Sequence, residues 1–485
     1  MKKALADIGL IGLAVMGQNL VLNMDDHKYK VVVYNRTSSK TDEFLQGIAK
    51  GTSVCGAHSI QEFCAALKRP RKVFLMVKAG QAVDDIIEEC LPFLEPGDIL
   101  IDGGNSYYKD SSRRYTRLKS MGILFVGAGI SGGEEGARHG PSIMPGGSKE
   151  AWPAIQSIFQ SIAATSETGE PCCDWIGDGG SGHYVKMVHN GIEYGDIQII
   201  CEAYHCMKLL FGFSAEDLSQ IFATWNKGRL NSYLIEITSK IFAYKDSDGT
   251  PLIDKILDVA GQKGTGKWTG INALEFGVPV TLIAEAVFAR CLSSLKEERL
   301  ILSTKYSSPA APSLKNKDEF LNQLEQALYS AKIISYAQGF MLIRAAAIDN
   351  NWKLDLGGIA LLWREGCIIR SRFLKEINEA YKKTPHLESL FFDTFFQNTL
   401  ATSVQGLREI VALCALHGIP IPCLSTALSF FDGYRCPTLP SNLLQAQRDF
   451  FGAHTYERID HPRGEFFHTD WAQTGGTAHS STYTV

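Results

Sequence analysis

The sequence lacks a large net charge, a cysteine framework and a membrane-spanning stretch, each of which would have indicated a class of protein. Its 485 residues carry a net charge of only -4, which gives no basis for a polyanionic partner such as nucleic acid. Its 12 cysteines include no C-x-x-C pair and form no regular framework, so we expect reduced thiols in a cytoplasmic protein. No apolar stretch reaches the roughly 20 residues of a membrane span, so we expect no membrane segment.

The length favours two or more domains, and the hydrophobic pattern changes along the chain. The first third alternates short, unbroken apolar runs with amphipathic stretches, which is typical of β-α-β units around a parallel sheet. The predicted strands cover residues 8–13, 31–34, 73–77, 99–101 and 123–126. We therefore predict an α/β Rossmann domain, with a doubly wound and mostly parallel sheet, over residues 1–181.

Residues 182–437 show few strand signals and several long segments of helical character, which predicts an all-α domain. The longest predicted helices cover residues 185–210, 280–302 and 320–348. Two patterns recur within this domain: Trp225-x-x-Gly228 returns as Trp363-x-x-Gly366, and FGVPV at 276–280 returns as HGIPI at 417–421. We interpret the domain as an internal duplication, with chance similarity as the alternative.

Residues 438–485 form a third, polar segment. One more helix is predicted at 443–451, and the remainder ends in GGTAHSSTYTV. On its own, this composition predicts a disordered tail.

A glycine-rich turn follows the first predicted strand. It consists of Gly12, Leu13, Ala14, Val15, Met16 and Gly17. It matches the pattern G-x-G-x-x-G, with a small alanine at the second glycine. The first glycine permits the tight turn, the small second residue lets backbone N–H groups approach a pyrophosphate, and the third allows close packing of helix on strand. The pattern predicts dinucleotide binding, with a glycine turn that holds no ligand as the alternative.

The second predicted strand ends at Asn35, Arg36 and Thr37. An NAD enzyme places a carboxylate here for the ribose 2′-hydroxyl. Arg36 is instead suited to the 2′-phosphate of NADP, which a carboxylate would repel. We therefore predict NADP as the cofactor, the alternative being that Arg36 is an ordinary surface charge.

A second glycine-rich loop, Gly261 to Lys267, resembles the G-x-x-x-x-G-K loop of ATPases. Trp268 stands where that loop needs the Ser or Thr that binds Mg²⁺, and the preceding residues 254–260 have helical rather than strand character. We do not expect an ATPase, although the loop is suited to a phosphate on a substrate.

One predicted helix carries a polar stripe with acid–base potential. Lys186, His189, Asn190 and Glu193 fall at i, i+3, i+4 and i+7 and therefore share one face. The other faces are mostly apolar, which favours a buried helix that lines a cleft over a solvated surface helix. Partial burial lowers the pKa of a lysine and raises that of a glutamate, and both shifts favour general acid–base catalysis near neutral pH.

Two polar loops follow strands of the Rossmann domain, at residues 102–106 (DGGNS) and 131–136 (SGGEEG). Ligands of open α/β sheets bind at the carboxyl ends of strands, and backbone N–H groups in Ser-Gly-Gly are suited to a carboxylate. Two ordinary turns are the alternative.

Together these motifs resemble the decarboxylating 6-phosphogluconate dehydrogenases, over essentially the whole chain and without departure at a functional position. The matching segments are GLAVMGQNL, NRT, VKAGQAVDD, DGGNS, SGGEEGARHGPSIMPGG, KMVHNGIEYGD, AGQKGTGKW, AEAVFARCLSSLKEER and QAQRDFFGAHTYER. The resemblance implies oxidation and decarboxylation of 6-phospho-D-gluconate to ribulose 5-phosphate with NADP⁺, without a metal ion, as in the oxidative pentose phosphate pathway.

The resemblance also implies residue roles. Lys186 would be the base and Glu193 the acid that protonates C1 of the enediol. The residues implied to hold the sugar acid are Asn105, Ser131, Gly132, Gly133, His189 and Asn190. Those implied around the 6-phosphate are Tyr194, Lys263, Thr265, Arg290, Arg448 and His454. Those implied to bind NADP are Gly12, Leu13, Ala14, Val15, Met16, Gly17, Asn35, Arg36, Thr37, Val77, Lys78, Ala79 and Asn105.

The resemblance further implies a homodimer in which the tail, with Arg448 and His454, reaches the active site of the partner subunit. Two alternatives remain at this point: another β-hydroxyacid dehydrogenase, such as one acting on 3-hydroxyisobutyrate, and a catalytically silent protein that senses NADP. The first would not need the second helical half, and the second would have no reason to retain Lys186 and Glu193.

Overall fold

The computed structural model describes residues 5–307, 309 and 316–473. The chain forms two compact units, Met1–Leu428 and Ser429–Val485, each of which is described by itself. The predicted domain limits at residues 181 and 437 stay predictions.

A seven-stranded sheet forms the centre of the N-terminal part of the first unit. Its strands are β1 (Ile8–Ile11), β2 (Val31–Tyr34), β3 (Cys55–Gly56), β4 (Lys72–Leu75), β5 (Ile99–Asp102), β6 (Leu124–Ser131) and β7 (Ser142–Gly147). They lie in the order β3-β2-β1-β4-β5-β6-β7, and all neighbours are parallel except β6 and β7. This confirms the predicted doubly wound, mostly parallel sheet.

Two strands were not predicted from the sequence. β3 pairs over only two residues, too few for a hydrophobic pattern. β7 has the sequence SIMPGG, whose proline and glycines are poor strand formers, but all six of its residues are buried. Burial and the antiparallel partner β6 therefore fix β7 where local propensity does not.

Seven helices accompany the sheet. They are α1 (Val15–Asp26), α2 (Ser38–Gln46), α3 (Ile60–Ala65), α4 (Gln81–Cys90), α5 (Tyr108–Ser120), α6 (Gly133–His139) and α7 (Trp152–Ile162). The strand residues alternate between two apolar clusters, one on each face of the sheet: Leu10 belongs to one and Ile11 to the other. Burial on both faces explains why the strands are unbroken apolar runs.

The chain after residue 180 is helical, as predicted. Its helices are α8 (Ser181–Phe211), α9 (Ala215–Trp225), α10 (Tyr233–Ala243), α11 (Thr265–Glu275), α12 (Thr281–Ser293), α13 (Lys296–Ser303), α14 (Lys317–Asp349), α15 (Leu356–Leu362), α16 (Leu374–Lys383), α17 (Thr394–Leu416), α18 (Pro422–Tyr434) and α19 (Ser441–Gly452). The prediction of one helix over 280–302 was wrong, because the segment forms α12 and α13. The prediction of a helix over 254–260 was also wrong: a short 3-10 turn, Leu252–Lys255, is followed by irregular backbone.

The duplication stays a prediction, but its two segments meet at a backbone bridge. Ser232 and Ser371, which occupy equivalent positions of the two repeats, pair with each other as an antiparallel bridge. On either side, Tyr233 N donates to Arg370 O (3.2 Å) and Arg372 N donates to Asn231 O (3.1 Å). Exchanging the repeats converts one of these hydrogen bonds into the other. The two repeats therefore face each other around this bridge.

One helix among the described residues, α17, is long and apolar enough to cross a membrane by length and composition alone. This corrects the expectation that no stretch of the chain reaches that length. Its buried residues, including Phe396, Leu400, Leu407 and Ile410, recur every three or four positions, and α17 packs along α14 on this face. Such a one-sided pattern is typical of an amphipathic packing helix.

The second unit folds around a buried carboxylate. Asp449, only 1% exposed, accepts hydrogen bonds from Thr469 N (3.0 Å) and Trp471 Nε1 (2.8 Å). Tyr456 and Phe467 form an antiparallel bridge in the same segment. The predicted helix 443–451 is confirmed by α19, and the prediction of disorder was wrong for residues up to 473. The closing residues 474–485 lie outside the described residues.

Candidate active site

A cavity of about 460 Å³ lies where the strand order reverses, at the carboxyl ends of β1 and β4. This position is the usual ligand crevice of an open α/β sheet. The predicted cofactor residues that line it are Gly12, Leu13, Ala14, Asn35, Arg36, Thr37, Val77 and Lys78. The others, Val15, Met16, Gly17, Ala79 and Asn105, do not line this cavity.

The glycine turn has the geometry that a bound pyrophosphate needs. Gly12 has a φ of 107°, and a Cβ atom there would lie 2.4 Å from the carbonyl oxygen of Met76. Ala14 is the N-cap of α1, so the unpaired N–H groups of the first helical turn follow it directly. The residues present therefore fit a dinucleotide whose phosphates lie against this turn.

The charges beside the cavity fit a cofactor with an additional phosphate. Asn35 Oδ1 accepts a hydrogen bond from Leu13 N (3.1 Å), which joins the end of β2 to the glycine turn. Arg36 follows, and Lys40 on the first turn of α2 also lines the cavity. Sequence analysis missed Lys40, although its place four residues after Arg36 was a usable signal.

The structure brings the predicted polar stripe together on one buried face of α8. Lys186, His189 and Asn190 are each at most 7% exposed. Lys186 Nζ lies 3.3 Å from His189 Nδ1, and Glu193 Oε2 lies 3.9 Å from the same nitrogen. The Lys186 amine and the Glu193 carboxyl therefore approach the same edge of one imidazole ring.

Burial shifts the pKa of every titratable group on this stripe. It lowers the pKa of Lys186, against the opposing attraction of Glu193. It raises the pKa of Glu193, again against the attraction of Lys186. It lowers the pKa of His189 far below its ordinary value, and the Lys186 charge adds to that effect. The site therefore favours a neutral amine, a protonated carboxyl and a neutral imidazole.

The other edge of His189 contacts two residues from outside α8. Its Nε2 lies 3.0 Å from Ser131 Oγ and 2.8 Å from Cys367 Sγ. The indole of Trp363 packs against the ring, with centroids 5.6 Å apart and the planes at 80°. Sequence analysis noted Trp363 only as part of a repeat and missed Cys367 entirely.

Strand β6 packs closely against the polar stripe of α8 because its residue 129 is a glycine. Gly129 lies against Lys186, and a Cβ atom at Gly129 would be 2.3 Å from Lys186 Cβ. Two residues further on, β6 ends at Ser131, and Gly132 and Gly133 begin the turn into α6. The predicted carboxylate loop is therefore continuous with the strand that supports the base.

Three of the residues predicted around a phosphate, Tyr194, Thr265 and Arg290, lie together at the far end of the stripe. The Arg290 guanidinium lies over the Tyr194 ring, 3.4 Å from its centroid. A Cβ atom at Gly266 would lie 2.5 Å from the same ring, so the start of α11, with Thr265, packs beside it. Lys263 lies in the exposed loop just before Thr265.

Asn105 lies on an exposed loop that a buried network anchors. Asp102 accepts hydrogen bonds from Gly104 N (3.0 Å), Ser106 Oγ (2.6 Å) and Arg114 Nη1 (3.2 Å). Arg114 is itself 2% exposed and forms a second, bidentate pair with Asp84. Asn105 is therefore held through its neighbours.

Arg448 and His454 belong to the second unit. There Arg448 Nη1 donates to Gln445 Oε1 at 3.0 Å. Their place in a partner's active site stays a prediction.

The comparisons with known proteins agree with this arrangement. The family model of the NAD binding domain of 6-phosphogluconate dehydrogenase matches residues 7–177, and that of the 6-phosphogluconate dehydrogenase C-terminal domain matches residues 182–471. The chain belongs to the 6-phosphogluconate dehydrogenase family. Both halves of the fold therefore have counterparts within one family, as the resemblance predicted.

Individual relatives of the family match end to end. The decarboxylating 6-phosphogluconate dehydrogenase of Mus musculus is 60% identical over 481 residues, with 99% of each chain covered. The corresponding protein of Saccharomyces cerevisiae is 59% identical over 486 residues, again with 99% coverage of each. A solved 6-phosphogluconate dehydrogenase of Plasmodium falciparum superposes with a TM-score of 0.92 at 46% identity, covering 96% of this chain and 100% of that one. That protein was solved in complex with its cofactor NADP⁺ and with its substrate 6-phosphogluconate.

Proposed function

We propose that this chain oxidises and decarboxylates 6-phospho-D-gluconate with NADP⁺, giving D-ribulose 5-phosphate, CO₂ and NADPH. The observation that carries the proposal is the buried face of α8, where a lysine of lowered pKa and a glutamate of raised pKa approach the same edge of one neutral imidazole. A reaction that first removes a hydroxyl proton and later protonates a carbon needs such a base and acid. The match to 6-phosphogluconate dehydrogenases along the whole chain supports the choice of substrate.

NADP⁺, when bound, accepts the hydride from C3 of the sugar acid. Lys186, as a neutral amine, takes the proton from the C3 hydroxyl group. As an ammonium group it then donates a hydrogen bond to the C3 carbonyl oxygen, so that this oxygen can accept the electrons released when CO₂ leaves. This donation does for the carbonyl what a metal ion would do by polarisation, so the mechanism needs no metal.

Glu193 completes the reaction as the general acid. Loss of CO₂ leaves an enediol, and C1 of that enediol must gain a proton to give ribulose 5-phosphate. Burial raises the pKa of Glu193, which favours the protonated carboxyl that this transfer needs. Lys186 therefore acts first, at C3 of the sugar acid. Glu193 acts later at the adjacent carbon, which is C2 of the sugar acid and C1 of the enediol.

We assign the two ends of the substrate to the two ends of the stripe. The residues proposed for the carboxylate and hydroxyl groups are Asn105, Ser131, Gly132, Gly133, His189 and Asn190. Those proposed for the 6-phosphate are Tyr194, Lys263, Thr265 and Arg290, with Arg448 and His454 from the partner. The cation over the Tyr194 ring and the helix start at Thr265 support an anion at that end.

The proposed function is tested by supplying purified protein with NADP⁺ and 6-phosphogluconate and following NADPH absorbance and CO₂ release together. We expect both products in equal amounts, and neither from Lys186→Ala. NADPH without CO₂ would leave a β-hydroxyacid dehydrogenase without the decarboxylation. Neither product, with NADP⁺ still bound, would favour an NADP sensor instead.

The proposal includes a homodimer, in the cytoplasm, whose active sites are each completed by the partner's tail. Large apolar side chains of the tail are exposed within the single chain, among them Leu443, Phe450 and Phe451 at 63%, 63% and 73%. An apolar surface of this kind favours burial against a second chain. A second subunit would cover these apolar side chains.

Sharing of sites has a direct test, because a heterodimer of two defective chains would contain one intact site. Lys186→Ala and Arg448→Ala are each expected to be inactive, and refolding an equal mixture should restore about a quarter of the wild-type activity. No recovery in a mixed dimer, or normal turnover by a chain truncated before Leu443, would disprove sharing. Analytical ultracentrifugation of the same samples checks that dimers have formed.

A further inference from the structure

A short buried segment of the second repeat supports the catalytic imidazole, and we refer to residues 363–368 as the bracket segment. Besides the Trp363 and Cys367 contacts with His189, the segment holds the carboxylate loop: Gly366 O accepts a hydrogen bond from Ser142 N (2.9 Å), and Ile368 N donates to Ser131 Oγ (3.4 Å). The bracket segment therefore joins the base helix α8 to the β6–β7 loop.

The Trp-x-x-Gly segment of the first half differs from the bracket segment in the residue that follows the glycine. The first repeat has Trp225-x-x-Gly228 followed by Arg229, whereas the second has Trp363-x-x-Gly366 followed by Cys367. Arg229 Nε donates to Glu325 Oε1 (3.1 Å) on α14. The two segments also differ in backbone, since Gly366 has a φ of 59° and Gly228 is not among the glycines of positive φ. The cysteine belongs to the segment that contacts His189.

A count of hydrogen-bonding groups shows what the thiol can do. The neutral His189 ring has one N–H group. Its Nδ1 edge faces Lys186 Nζ and Asn190 Oδ1 (3.0 Å), and its Nε2 edge faces Ser131 Oγ and Cys367 Sγ. If the ring proton is on Nε2, Nδ1 can accept from Lys186 and Nε2 needs an acceptor. If the ring proton is on Nδ1, it can be donated to Asn190 Oδ1 and Nε2 needs a donor.

Both the hydroxyl and the thiol can donate or accept, so the Nε2 edge has a partner in either tautomer. Burial raises the pKa of Cys367 to about 12, so the thiol keeps its proton near neutral pH. Among the described residues, the charged groups at the ring are Lys186 and Glu193, both on α8. The thiol is therefore a neutral partner of Nε2 whichever ring nitrogen carries the proton.

We propose that Cys367 is a positioning residue for the reaction: its thiol, together with the Ser131 hydroxyl, holds Nε2 of His189 in whichever tautomer the ring adopts and so keeps Nδ1 directed at Lys186. The inference rests on the proposed role of Lys186 as the base. It adds a residue that touches neither end of the proposed substrate.

The test compares side chains of similar size with and without a hydrogen-bonding atom. Cys367→Ser keeps a donor and acceptor, and its kcat should stay within about threefold of wild type. Cys367→Ala and Cys367→Val remove them, and kcat should fall about tenfold with KM nearly unchanged. The acid-side limb of the pH profile should shift in these two variants only, because the Lys186 pKa depends on the imidazole edge that faces it. Cys173→Ala is the matched control, since this buried thiol lies in the sheet core.

A readout without turnover separates this proposal from the proposed function. In protein labelled with ¹⁵N-histidine, the His189 signals can be assigned by their loss in His189→Asn. We expect Cys367→Ala and Cys367→Val to change the His189 Nε2 shift, while Cys367→Ser and Cys173→Ala leave it close to wild type. Equal kcat for wild type and the alanine and valine variants, or equal losses in the serine and alanine variants, would overturn the proposal. An inactive wild type with the expected His189 shifts would instead contradict only the proposed function.

Discussion

The contact between β6 and α8 predicts that Gly129→Ala impairs catalysis far more than it impairs folding. The added Cβ would lie 2.3 Å from Lys186 Cβ and 2.9 Å from Lys186 Cγ, whereas carbon atoms in contact are normally about 3.5 to 4 Å apart. Relief of this overlap requires the Lys186 backbone or the strand to move by roughly 1 Å. A displacement of that size at a reacting group costs about 100-fold in rate, so kcat should fall by about two orders of magnitude.

Gly9→Ala is the matched control for this prediction. Its Cβ would also lie 2.3 Å from a neighbour, but that neighbour is the Phe63 ring, which packs on the sheet. Overpacking of this kind costs about 1 to 3 kcal/mol of stability, so both variants should have lower melting temperatures. Only Gly129→Ala should lose kcat, measured by NADPH absorbance at saturating NADP⁺ and substrate. A folded Gly129→Ala protein with kcat within about threefold of wild type would refute the assignment of Lys186 as the closely positioned base.

Three further predictions follow from the site. Arg36→Met should raise the KM for NADP⁺ by about 10- to 100-fold, because it removes a charge-assisted hydrogen bond to the 2′-phosphate. The KM for NAD⁺, which lacks this phosphate, should stay nearly unchanged. Equal effects on both cofactors would contradict the 2′-phosphate role. Wild-type kcat/KM should fall below the Lys186 pKa, where the base is protonated, and above the raised Glu193 pKa, where the acid is lost. Glu193→Gln should therefore lose the alkaline limb and about 100-fold in kcat, and an unchanged alkaline limb would exclude Glu193 as the acid. Arg114→Met leaves Asp102 and Asp84 without their buried partner and should lower the free energy of unfolding, measured in urea, by about 3 to 5 kcal/mol. A decrease below about 1 kcal/mol would show that the ion pairs of Arg114 do not stabilise the fold.

The strands that sequence analysis predicted are those whose burial is visible as an unbroken apolar run. Val31–Tyr34 was predicted to the residue because both of its faces are covered. β7 was missed because its burial depends on β6, which lies beside it only after folding. The single helix predicted over 280–302 became two for a related reason, since both parts are apolar-periodic and nothing in hydrophobicity alone marks the break near Ser294.

In the site, too, sequence analysis predicted the residues that share one helix and missed those that are joined only by tertiary contacts. The i, i+3, i+4 and i+7 spacing on α8 was sufficient to place Lys186 and Glu193 on one face, because helix geometry fixes that relation. Cys367 lies 178 residues from His189, and no local spacing connects them. Arg114 and Asp102 are likewise joined only by tertiary structure.

The two Trp-x-x-Gly segments of the helical domain differ in their contacts at the candidate site. The two halves face each other through equivalent hydrogen bonds at Ser232 and Ser371. Only the second repeat directs a Trp-x-x-Gly segment at the polar stripe of α8, while its counterpart ends in the Arg229–Glu325 ion pair. One repeat thus supplies the helix that carries Lys186 and Glu193, and the other supplies the segment that contacts His189. This division of labour gives the long second half a role that a shorter β-hydroxyacid dehydrogenase would have to meet in another way.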